Sequence, residues 1–130
     1  MVGNNSCGAH SLIYGSTRDH LLAVKGLLSD GSDVEFKQLC RAAFREKMTL
    51  ENLEGNIYRN IREILSDEKN QINIVREFPD PVIRRRNTGY AIDLLMKAEP
   101  FTGGEQFNFC KLIAGSEGTL AFATSMKLNL

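Results

Sequence analysis

The sequence predicts an α+β fold in which a small antiparallel sheet is interrupted along the chain by a helical insertion. An apolar run, an Asp-Gly pair and a second apolar run follow one another between residues 20 and 36, which is the pattern of a β-hairpin. From residue 35 to residue 65 apolar side chains recur at steps of three and four, the pattern of helices packed by one face. After Gly118 the pattern returns to alternation, as in a strand.

Taken in order, residues 3–15 are mostly glycine, asparagine, serine and other small residues, a loop composition. Residues 20–29 form the first apolar run; leucine and alanine there also suit a helix, but Gly26 and the Asp30-Gly31 turn favour a strand, paired with the run Val34–Phe36. Residues 35–47 then read as a helix with Phe36, Leu39, Cys40, Ala43 and Phe44 on its inner face. Thr49 and Asn52 make an imperfect capping box for a second helix whose stripe is Leu50, Leu53, Ile57, Ile61, Ile64 and Leu65, ending near residues 67–70. Pro79 and Pro81 break regular structure, residues 90–96 read as a short helix packing Ile92, Leu95 and Met96, and residues 100–104 form a loop. Residues 109–114 and 119–130 flank the turn Gly115-Ser116-Glu117-Gly118, the latter ending as a strand. The whole reads as one unit over residues 1–130 with an insertion at roughly 35–100. Its opening inside a tight loop predicts that part of the scaffold lies upstream.

Composition narrows the function. Sixteen basic and sixteen acidic residues cancel, so no net field attracts a nucleic-acid backbone or an anionic membrane. The run Arg84-Arg85-Arg86 lacks flanking aromatic platforms and reads as a solvated or salt-bridged face. Cys7, Cys40 and Cys110 are far apart, with no CxxC pair and no histidine at ligand spacing, so neither a disulfide framework nor a metal site is expected. The sequence contains no apolar run of membrane-spanning length and opens without a signal-peptide pattern, which predicts a cytoplasmic protein.

Two segments concentrate small and hydrogen-bonding residues: residues 3–8 and 115–119. Glycine lets a phosphate approach backbone N–H groups, and Asn4, Asn5, Ser6 and Thr119 add side-chain donors and acceptors. The same residues also make ordinary turns. Cys7 and His10 could pair as nucleophile and base or tether a flavin, though no third orienting group is evident. The helical stripe at 50–65 could serve as a partner surface in place of a core, so a non-catalytic helical interaction module is the alternative function.

Read together and in order, four segments resemble the FAD-linked oxidases of the vanillyl-alcohol oxidase superfamily, which carry a PCMH-type FAD-binding domain. They are residues 1–20, the hairpin around Ser29-Asp30-Gly31, Arg86-Asn87-Thr88-Gly89-Tyr90 through Leu94, and Gly115-Ser116-Glu117-Gly118-Thr119-Leu120. The glycolate oxidase and D-lactate dehydrogenase branch is the nearest likeness, especially members fused to an iron–sulfur region. This resemblance implies the second of two subdomains that clasp FAD, with the upstream subdomain, the substrate cap and any iron–sulfur cluster elsewhere in a parent enzyme that oxidises a small 2-hydroxy acid. It implies that the parent is cytoplasmic or peripheral to the inner membrane, and that this part alone is inactive.

Position by position, the resemblance assigns Asn4, Asn5, Ser6 and Gly8 to the loop along the flavin and its pyrophosphate, and Tyr14 and Gly15 to its continuation. Gly115, Ser116, Glu117, Gly118 and Thr119 match the loop that approaches the adenosine half of FAD. Glu117 therefore reads as a structural or cofactor contact and not as a general base. Arg86-Asn87 and Gly89-Tyr90 match a motif that sets a helix start against the sheet. No residue is assigned to catalysis.

Overall fold

The computed structural model describes residues 1–80, 82–83 and 89–129. Two single-turn helices, α1 (Ser11–Tyr14) and α2 (Thr17–His20), lead into the hairpin β1 (Leu21–Leu27) and β2 (Asp33–Lys37). Helices α3 (Arg41–Met48), α4 (Leu53–Ser66) and α5 (Glu68–Glu77) follow, then the short α6 (Ile92–Met96) and α7 (Cys110–Ile113), and finally β3 (Phe122–Leu128). The described strands form one antiparallel sheet of order β2-β1-β3, so the first hairpin and the last strand meet across the whole helical stretch.

The hairpin forms as the Asp-Gly turn predicts. Asp30 Oδ1 accepts from the amide and hydroxyl of Ser32, which holds the Asp30 carboxyl below its ordinary pKa, and Gly31 takes the turn's φ of 82°. Register pairs Val24 with Phe36 and Gly26 with Val34, all four buried on the face that meets the helices. Gly26 also marks a register irregularity against β3, where a Cβ would stand 2.4 Å from the Phe122 carbonyl oxygen.

The helical stretch differs from its predicted form in three places. Residues 35–37 belong to β2 and the helix starts only at Arg41, because Phe36 is already committed to the sheet opposite Val24. The 50–65 helix starts at Leu53, with Asn52 as its N-cap accepting from the Gly55 amide at 3.0 Å. Ile64 of the predicted stripe is 43% exposed, and Tyr58 takes the inward position at 1%. A further helix, α5, was not expected. Asp67 closes α4 and caps α5, its carboxylate accepting from the Asn70 amide at 2.9 Å.

Aromatic rings fill the space between helices and sheet. Phe44, wholly buried, meets Phe107 edge-on at 4.8 Å and Tyr58 at 5.4 Å, and Phe109 links Phe107 (4.8 Å) to Phe36 of the sheet (5.3 Å). Edge-to-face pairs of this kind add about 0.5–1.5 kcal/mol beyond the area they bury. Lys47 and Glu54 join α3 to α4 by an ion pair of 2.7 Å with the carboxylate largely buried. Residues 110–113, which flank the second loop, form α7, and its Cys110 is buried, the thiol donating to the Phe36 carbonyl at 3.3 Å.

Candidate functional site

The two glycine-rich loops, 107 residues apart from Gly8 to Gly115 in sequence, lie side by side. The first is a tight turn: the Asn5 amide donates to Val2 O at 2.9 Å and the Ser6 amide to Met1 O at 3.0 Å. Asn5 sits at φ 48°, a left-handed conformation that asparagine tolerates better than most residues. Ser6 donates its hydroxyl to Asn4 Oδ1, and Ser6 O accepts from the Thr17 hydroxyl, tying the turn to α2.

The second loop leaves α7 through Ala114. Gly115 takes φ 89°, Glu117 53° and Gly118 76°, so the chain doubles back before β3. Thr119 closes the turn by donating its amide (3.0 Å) and hydroxyl (2.6 Å) to Ser116 O, and its hydroxyl also meets the Tyr90 hydroxyl. Main-chain bonds join the loops directly: Gly115 N–H to Val2 O at 3.1 Å and Glu117 N–H to Gly3 O at 2.8 Å.

Of the residues assigned from sequence, Asn4, Asn5 and Ser6 thus sit in the turn whose first residues, Val2 and Gly3, are bonded to the loop of Gly115, Ser116, Glu117, Gly118 and Thr119. Within this group Asn5, Gly115 and Ser116 are buried and form the base, while Asn4, Glu117, Gly118 and Thr119 stand exposed. A Cβ at Gly8 or Gly118 would meet no atom within 4 Å, so both glycines border open space. The Asn5 side-chain amide nitrogen is buried with no hydrogen-bond partner.

Gly8, Tyr14 and Gly15 line a neighbouring cleft of about 410 Å³, whose wall also includes Ser6, Cys7 and His10. Tyr14 is 70% exposed, and its carbonyl pairs with His20 Nε2 at 2.7 Å, giving that histidine a structural contact. Cys7 is a free, half-buried thiol, and the His10 ring lies 6.5 Å from that of Tyr14. Arg84, Arg85, Arg86 and Asn87 lie outside the described residues. Gly89 and Tyr90 of the same motif are described, and both contact the second loop's surroundings, Gly89 O through Arg18 and Tyr90 through Thr119.

Sequence reading missed Arg18. It is 3% exposed, its Nε and Nη2 donate to Ala114 O at 3.2 and 2.7 Å, and Nη2 also donates to Gly89 O at 2.6 Å. Its own amide donates to Asn5 Oδ1 at 2.8 Å. Only its place between the first loop and β1 hinted at this, since its guanidinium's acceptors among the described residues are backbone carbonyls that no side-chain pattern reveals.

Among the described residues no helix is long and apolar enough to cross a membrane. No family model matches the chain, and no solved structure matches it. Over its whole length, however, it is similar to proteins named D-2-hydroxyglutarate dehydrogenase: 28% identical to those of Escherichia coli and Pseudomonas putida and 27% to that of Pantoea ananatis. The chain spans 12% of the length of each of these relatives, so it is similar to one section of a much longer dehydrogenase.

Proposed function

We propose that this chain is the second FAD-binding subdomain of an FAD-dependent dehydrogenase of small 2-hydroxy acids, with D-2-hydroxyglutarate the substrate to test first. The observation that carries this reading is the similarity to D-2-hydroxyglutarate dehydrogenases along the full chain. The pairing of the two loops by main-chain bonds supports it, because the resemblance assigns both loops to one cofactor.

The residues suit such a ligand. Open space at Gly8 and Gly118 allows a phosphate group to approach the backbone without meeting a Cβ, and the wholly buried Asn5 holds the first loop from beneath through the Arg18 amide. Asn4, Ser6 and Thr119 would contribute side-chain hydrogen bonds, and Gly8, Tyr14 and Gly15 would border the cofactor along the 410 Å³ cleft. FAD, when bound, supplies the hydride acceptor; this chain's share is to hold and orient it. The upstream subdomain and the cap that contacts substrate belong to the rest of the parent, which we place in the cytoplasm.

Flavin fluorescence and calorimetry on this chain and on a version extended upstream test the reading. FAD binding by the extended protein, with weak or no binding by the shorter chain, is the expected result. A folded extended protein that ignores FAD refutes it. With FAD bound, dye-linked oxidation of D-2-hydroxyglutarate, D-lactate and glycolate by the parent ranks the substrates.

A further inference from the structure

We infer that Arg18 is the positioning residue of the paired loops: its guanidinium fixes the spacing between them, and thereby FAD affinity, without touching the cofactor. The cofactor half of this inference rests on the function proposed above. At 3% exposure the side chain is enclosed by protein, so it cannot present its donors to a ligand at the loop surface.

Among the described residues it reaches three separate segments. Its amide holds Asn5 of the first loop, its Nε and Nη2 hold Ala114 at the root of the second, and Nη2 holds Gly89, next to the tyrosine that meets Thr119. These acceptors lie 13, 96 and 71 residues away along the chain. A buried cation is tolerated only where hydrogen bonds replace its hydration, and here backbone carbonyls do so. The planar fork of a guanidinium can serve two carbonyls in fixed directions, which a lysine ammonium cannot do with the same geometry.

Gly115 records how closely this side chain is packed. A Cβ there would lie 2.5 Å from Arg18 Nη2 and 2.8 Å from Gly89 O, so the second loop can begin only with a glycine while Arg18 occupies its place. The two inter-loop bonds, Gly115 N–H to Val2 O and Glu117 N–H to Gly3 O, depend on that placement.

The test compares Arg18→Lys with Lys47→Met, which disturbs a part-buried ion pair in the α3–α4 region away from the loops. Urea midpoints are measured for both. Amide hydrogen exchange at Gly115 and Glu117 is followed in this chain, and FAD affinity is measured in the upstream-extended protein. The expected result for Arg18→Lys is at least tenfold faster exchange at both amides and at least tenfold weaker FAD binding, with Lys47→Met within twofold of wild type on both counts. If Arg18→Lys stays within twofold on both, or Lys47→Met changes both as much at an equal loss of stability, the inference is overturned. Should Arg18→Lys not fold, Arg18→Ala with millimolar guanidinium replaces it: restored protection of the two amides upholds the tether, and unrestored protection overturns it. If the wild-type extended protein binds no FAD, the cofactor half falls with the proposed function, and the exchange measurement alone decides the tether.

Discussion

Replacing Gly115 by alanine separates two costs that the neighbouring glycine, Gly118, can resolve. Gly115 lies at φ 89° and Gly118 at φ 76°, both left-handed, where a side chain costs about 1–2 kcal/mol. At Gly118 that is the whole cost, since a Cβ there meets nothing within 4 Å. At Gly115 the new methyl collides with Arg18 Nη2 at 2.5 Å and Gly89 O at 2.8 Å, and moving the guanidinium forfeits at least one charged hydrogen bond of about 1.5–3 kcal/mol. The expected losses are therefore about 2.5–5 kcal/mol for Gly115→Ala and about 1–2 kcal/mol for Gly118→Ala. Urea denaturation followed by circular dichroism measures both; with a slope of about 1.5 kcal/mol/M the midpoints fall by about 2–3 M and about 1 M. Equal losses in the two variants would refute the reasoning, because they would mean that Arg18 is not held against the loop.

Phe44→Ala should cost about 3–5 kcal/mol, since the ring is fully buried against Tyr58, Phe101 and Phe107, and the urea midpoint again reports it. Burial pushes the Cys110 thiol up to about 12 from 9.0. The folded state therefore keeps its proton while the unfolded chain loses it, so this contribution to stability is present below pH 9 and is lost as pH rises towards 12. Stability measured from pH 8 to pH 10.5 should fall less steeply in Cys110→Ala than in the wild type, and parallel profiles would exclude the thiol as a source of the alkaline loss.

The hairpin was legible because Asp30-Gly31 is a turn signal with a local mechanism, and the last strand because alternation after Gly118 is likewise local. The assignment of residues 35–40 to a helix failed where two periods compete. Phe36, Leu39 and Cys40 have helical spacing, but pairing with β1 across a short turn fixes Phe36 in the sheet before a helix can claim it. Helix α5 is not evident in the sequence because Asp67 resembles the end of one helix and is also the start of another; in the fold Ile74 is its buried residue, while Ile72 and Val75 stand 59% and 70% exposed. The two loops were identified by composition and order. Their base was not: Arg18 acts through backbone carbonyls, which every residue carries, and its partners become neighbours only when the chain folds.

The bonds from Val2 to Gly115 and from Gly3 to Glu117 also bear on how the protein is made. They close a contact between the two ends of the chain, 113 and 114 residues apart. Such contacts carry the largest loop-closure entropy, and they form late, after nearer contacts have shortened the effective separation. During synthesis at about 5–20 residues per second, roughly 6–20 seconds pass between the emergence of the first loop and that of the second. For that interval the asparagine-rich turn at the start of the chain has no partner loop to rest on. The paired loops are thus among the last features to mature, and a ribosome-bound intermediate truncated before Gly115 would contain the hairpin and the central helices without them.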